Sequence, residues 1–97
     1  MHFIIHALDK KGVLPTRQAQ TEAHRAHLDD MSRFGVKIIV SGPLVADDAQ
    51  TSIGSLFLVE APDRKTVEAF HAADPFKKSG VWERVNISAF IKRRDNR

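Results

Sequence analysis

"VKIIVSGPLVADDAQTSIGSLFLVEA", residues 36–61, holds two short runs of branched and aromatic residues with only a polar connection between them. The first, "VKIIVSGPL" (36–44), reads as a strand closed by Gly42-Pro43. The second, "IGSLFLVEA" (53–61), reads as the next strand, and "ADDAQTS" between them is turn-forming. Two consecutive strands in mid-chain set this sequence apart from an alternating parallel α/β pattern. Gly54, inside the second run, marks a bulge or a close approach by something else.

Working outward, "HFIIHAL" (2–8) is a third strand-like run ending at the turn-forming "DKKG". Its two faces are Phe3, Ile5 and Ala7 against His2, Ile4, His6 and Leu8, so both carry apolar residues. Pro15 suits the first turn of a helix, and Thr16 to Phe34 contains neither Pro nor Gly before Gly35 stops it. At helical spacing Ala23, His27, Met31 and Phe34 form one stripe, with His24 and Leu28 along its edge. Arg25, Asp29 and Arg33 point to water. After the central pair, Asp63 caps a second helix running to about Ala73, with Val67 and Phe70 inward. "VWERVNISAFI" (81–91) is the last strand.

The order is βαββαβ, the split-βαβ arrangement of α+β, ferredoxin-like folds: a four-stranded antiparallel sheet with two helices on one face. Two helices cover only that face. Apolar residues on both faces of the strands therefore call for a second cover, and a second copy packed sheet to sheet supplies it, giving a homodimer of the α+β-barrel kind.

A chain of 97 residues suffices for one domain, and an apolar content of 42% is enough to fold it. No apolar run is long enough to span a membrane, and "MHFIIHALDKKG" lacks the basic start and cleavage site of a signal peptide. With no cysteine there are no disulfides, thiol chemistry or Cys-based zinc sites, and the expectation is a cytoplasmic protein. The formal charge of +3 resides wholly in the tail, where Lys92, Arg93, Arg94 and Arg97 face only Asp95. Residues 1–91 form one domain and 92–97 a basic, solubilising tail. A groove-tracking nucleic-acid binder would instead spread its charge over one face.

Three signatures then stand out together: the helix segment "AHRAHLDDMSRFG", in which His24 lies eleven residues before Gly35, the "GPL" closing the first central strand, and "ADPF" (73–76) before the last strand. In that order on a βαββαβ chain they resemble the YCII (YciI-like) family. The resemblance implies a dimeric ferredoxin-like fold and a His-Asp pair in a cleft, with His24 and Asp74 at the matching positions. Members of dehydrochlorinase type act in aromatic degradation. The family pattern also sets an arginine ahead of the histidine; here the nearest is Arg17, and position 21 is Thr21.

The residues themselves leave two roles open for Asp74. Before Pro75 it should leave the helical region and cap the turn "PFKKSG". It can also meet an imidazole, one carboxylate oxygen serving each purpose. A carboxylate on one ring nitrogen of His24 would fix its tautomer and leave the other nitrogen as a general base. His27 is a packed or substrate-facing residue. Ser55 beside Gly54, Phe76 and Arg17 complete a candidate substrate-binding set, with Trp82 a possible further apolar wall and Ser41 an ordinary strand-end residue. His2 and His71 read as surface residues. No metal-ligand spacing, phosphate loop or nucleotide fingerprint is present, so neither metal nor cofactor is expected. The expected function is a small cofactor-free enzyme moving a proton on a small, aromatic-derived metabolite, as a lyase or isomerase. The alternative is a non-enzymatic ligand-binding or accessory module using the same cleft.

Overall fold

The computed structural model describes residues 1–97. Four strands are joined in the antiparallel order β2-β3-β1-β4: β1 His2–Asp9, β2 Lys37–Val45, β3 Ser52–Glu60 and β4 Trp82–Phe90. Helix α1 (Leu14–Asp29) connects β1 to β2, and α2 (Arg64–Ala72) with the short α3 (Pro75–Lys78) connects β3 to β4. This is the α+β, ferredoxin-like architecture, and its two central strands are the pair that sequence places first and third along the chain. No helix is long and apolar enough to cross a membrane. Residues 91–97 form no regular element.

Strand alternation decides what is buried. Phe3, Ile5 and Ala7 of β1 pair across to Val59, Phe57 and Ser55 of β3, and all six are buried beneath the helices. Val67 and Phe70 of α2 and Phe76 of α3 close this core from above. Packing accounts for Gly54 in β3: a Cβ there would collide with the carbonyl oxygen of Ala7 in the neighbouring strand. The close approach read from sequence is thus made by β1 backbone.

On the other face no helix lies over Ile4, Leu56, Leu58 and Leu44, which are only half-buried, and Val40 is 42% exposed. Ile4 and Val40 are the two neighbours of Leu58 in the sheet register, so these side chains form one apolar band across three strands.

The long helix expected from 16 to 34 is shorter and changes pitch. α1 begins at Leu14, ends at Asp29, and Met31–Phe34 form a 3₁₀ turn. In that tighter winding residues three apart stand on one side, which brings both Met31 and Phe34 against the core. Gly35 then takes the left-handed conformation at φ 77°, which only glycine adopts freely, and turns the chain into β2. Ala23, expected on the inward stripe, is exposed. The buried face of α1 is formed by Arg17, His24 and His27: the stripe held His27 and its edge His24, but the pattern did not mark Arg17.

Candidate active site

Pro75 sets the geometry of the site. It disfavours helical backbone at the preceding residue, and Asp74 is extended at φ −67° and ψ 129° between α2 and α3. The carboxylate turns back to cap α3, its Oδ1 accepting the Phe76 N–H at 2.9 Å. The same oxygen lies 2.8 Å from Nδ1 of His24 on α1. One oxygen therefore serves both purposes, where sequence reasoning assigned one to each. Asp74 is only 2% exposed.

A carboxylate oxygen can only accept, so Nδ1 carries the proton and donates. Nε2 has no protein partner, and it is an acceptor whenever the ring carries only the Nδ1 proton. The imidazole is held by its faces as well. It stacks on Phe76 with centroids 4.0 Å apart and an interplanar angle of 11°, and meets Phe57 and Trp82 edge-on at 6.0 and 6.3 Å.

His24 lines a cleft of about 420 Å³ between α1 and the β2 edge of the sheet. Residues 17, 21, 24 and 28 recur at helical spacing and form the α1 wall, and Arg25 joins them at the rim. Ser41, Gly42 and Pro43 of β2 form the opposite wall, Ser55 and Phe57 of β3 contribute the floor, and Phe76 contributes from α3. Gly42 and Pro43 do not close β2 as the sequence suggested but lie inside it, paired with Leu56 and Ser55, and they shape one side of the site. Ser41 lies on it too, and Thr21, Arg25 and Ser52 are lining residues that sequence reasoning did not select.

Arg17 is tied into the protein. Its Nη1 donates to both oxygens of Asp9 at 2.9 and 3.0 Å, and Nη2 donates to the Gly54 carbonyl at 2.8 Å and to Ser55 Oγ at 2.9 Å. The guanidinium also lies 4.7 Å from the Phe76 ring centroid. Burial pushes the Asp9 carboxyl above its usual range, opposed by the charge and hydrogen bond of Arg17. Arg17 and Ser55 therefore hold one another beside the cleft, and Phe76 is held by Arg17 while it holds His24.

Of the two roles left open for His27 the structure gives the packed one, while His71 sits elsewhere than expected. His27 does not join the cleft: its Nε2 donates to the Phe70 carbonyl at 2.8 Å and its ring stacks on Phe70 at 4.6 Å, under the helices. One helical turn from His24 is enough to rotate it out of the site. His71 is not a free surface residue. It is half-buried and stacked 5.2 Å from Trp82, and burial lowers its pKa, partly offset by the charge of Asp74. His2 faces Glu60 at 3.5 Å across the strands. No three His, Asp or Glu side chains gather into a metal-binding group.

Comparisons with known proteins identify the family and the fold. The YCII-related domain family matches residues 1–91. Protein YciI of Escherichia coli O6:H1 is 30% identical, with 95% of this chain aligned to 98% of that one. Among solved structures, the 5-chloro-2-hydroxyhydroquinone dehydrochlorinase TftG from Burkholderia phenoliruptrix, in complex with 2,5-dihydroxybenzoquinone, superposes with a TM-score of 0.83 at 29% identity over 94% of each chain. An Arabidopsis thaliana protein at 14% identity and a TM-score of 0.55, with 98% of this chain aligned to 97% of that one, shares the fold.

Proposed function

The chain belongs to the YCII-related domain family, and from that premise we propose that it is a small-molecule enzyme in which His24 moves a proton and Asp74 positions it. The observation that carries this reading is the 2.8 Å contact between His24 Nδ1 and Asp74 Oδ1, which leaves Nε2 unpartnered on a residue lining the cleft. Nε2 takes a proton from an acidic O–H, or from a carbon next to a carbonyl. The electron pair left behind moves into the substrate and either expels a leaving group with its bonding pair or collects a proton at another atom. The first outcome is an elimination, the second an isomerisation. The imidazolium, stabilised by Asp74, then returns its proton to solvent or to the departing group.

Elimination is the version supported by likeness to TftG, whose name makes it a dehydrochlorinase of a chlorinated hydroxyhydroquinone. A planar ring would fit the cleft between the α1 wall and β2, with the Thr21 hydroxyl on one side and the Ser41 and Ser52 hydroxyls available for ring oxygens. Arg17, Ser55 and Phe76 shape this space. We assign the working unit to a homodimer in the cytoplasm. The uncovered band of Ile4, Val40 and Leu58 supports the dimer, and the absence of cysteine fits a reducing compartment.

The deciding experiment is chloride release from 5-chloro-2-hydroxyhydroquinone, with binding of 2,5-dihydroxybenzoquinone measured in parallel. Catalysed release that His24→Ala abolishes supports the proposal. Binding without release would favour the second reading, a ligand-binding module. That reading has its own support, because the cap on α3 gives Asp74 a structural reason to exist.

A further inference from the structure

Of the two arginines that line the cleft, one is paired and one is not. Arg17 faces Asp9, whose side chain is only 7% exposed, and His24 faces Asp74. Arg25 lines the same cleft, is exposed, and makes no hydrogen bond or ion pair with the protein. No carboxylate is among the lining residues. The cleft therefore presents one uncompensated positive charge, on a fork-shaped donor suited to two oxygens at once.

The geometry points to Arg25 as the residue that selects an anionic substrate: a planar ring bearing a carboxylate or an ionised hydroxyl, held with that group toward the rim and its ring in the cleft beside His24. This rests on reading the cleft as a small-molecule site, and it adds the charge of the ligand to that reading. Sequence reasoning sent Arg25 to water because it adjoins His24 and so lies off the apolar stripe. Its long side chain nevertheless reaches the mouth of the cleft from the exposed side of α1. Negative charge bound there also lies near the imidazole, where it would favour the imidazolium formed on proton transfer.

The test compares 2,5-dihydroxybenzoate with its uncharged methyl ester, with binding followed through the ring resonances of His24. At low salt the wild-type protein should bind the acid about tenfold more tightly than the ester, the size of one charge-assisted hydrogen bond. Arg25→Gln should abolish that preference while leaving ester affinity unchanged, Arg25→Lys should keep part of it, and added salt should reduce it in the wild type. Equal binding of the two compounds, binding of neither, or a preference that survives Arg25→Gln would overturn the inference. A His24→Gln variant, followed through the Trp82 resonances, separates the two claims. An acid preference retained there, with no proton-transfer activity in the wild type, leaves the charge selection standing and removes the catalytic reading.

Discussion

Asp74 Oδ1 lies 2.8 Å from His24 Nδ1 and 2.9 Å from the Phe76 N–H, so one buried oxygen joins the imidazole of α1 to the first turn of α3. The consequence is that chemistry and stability can be separated by choice of substitution. Asn is as good an N-cap as Asp, so Asp74→Asn should cost only about 1 kcal/mol in urea unfolding. It should still lose most of any His24-dependent turnover, because a neutral amide cannot stabilise the imidazolium. Asp74→Ala should lose the cap and the imidazole partner together and cost about 2–3 kcal/mol. Turnover in Asp74→Asn equal to the wild type would reduce Asp74 to a cap.

Much of this junction was legible beforehand because its cause is local. Asp before Pro leaves the helical region whatever the tertiary context, and Gly35 stops the chain in the same local way, whereas Gly42-Pro43, read as the end of a strand, lies inside β2, which pairs on to Val45. The strands were equally plain, since branched and aromatic runs bounded by turns mark them. What sequence revealed only in part was rotation about α1: it set His27 on the inward stripe and His24 at its edge, but put Ala23 inward and missed the burial of Arg17. The buried face of the helix carries Arg17, His24 and His27, and a polar side chain is buried only when its partner comes from elsewhere, here Asp9, Asp74 and Phe70. Those partners lie between 8 and 50 residues away, beyond any helical period. His71 was misplaced for a related reason: its burial depends on Trp82 arriving from β4.

Breaking the ion pair of Arg17 with Asp9 should cost the fold much. Both side chains are less than a tenth exposed, at 8% and 7%. Asp9→Ala would strand a buried guanidinium, and such a loss costs roughly 3 kcal/mol or more. Because Arg17 also holds Ser55 and lies on Phe76, the variant should loosen the cleft and weaken ligand binding as well. Chemical denaturation measures the first effect and calorimetric titration the second. A cost below about 0.5 kcal/mol, ordinary for an exposed pair, would show that the pair is dispensable.

The open sheet face predicts the assembly. Leu58 has Ile4 and Val40 as its neighbours across the strands, at the centre of the uncovered apolar band. Light scattering should give about twice the chain mass of 10.9 kDa. Leu58→Lys should yield a monomer, because a lysine at the middle of a sheet-to-sheet contact would bury an unpaired charge. It should leave the helix-covered core intact, since the side chain points away from it. A wild-type protein that stays monomeric at micromolar concentration would leave the apolar band without its proposed cover.

His71 predicts a dependence of stability on acid. Burial lowers its pKa from the ordinary 6.5, with the Asp74 charge pulling in the opposite direction. A histidine depressed in the folded state binds fewer protons there than in the unfolded chain. Stability therefore rises with pH through the window between the folded value and 6.5, and is lost on acidification through that window. Asp9, raised by burial, has the opposite sign: its contribution is present below 3.8 and lost as pH rises through its folded value. A difference measurement isolates the histidine. His71→Gln removes the titrating group, so the gap in unfolding free energy between variant and wild type should change across the window and be constant above 6.5. The loss of stacking on Trp82 lowers the variant's stability at every pH, which shifts the curve without giving it a slope. Parallel curves for the two proteins from acid to neutral pH would mean that burial against Trp82 does not perturb this imidazole.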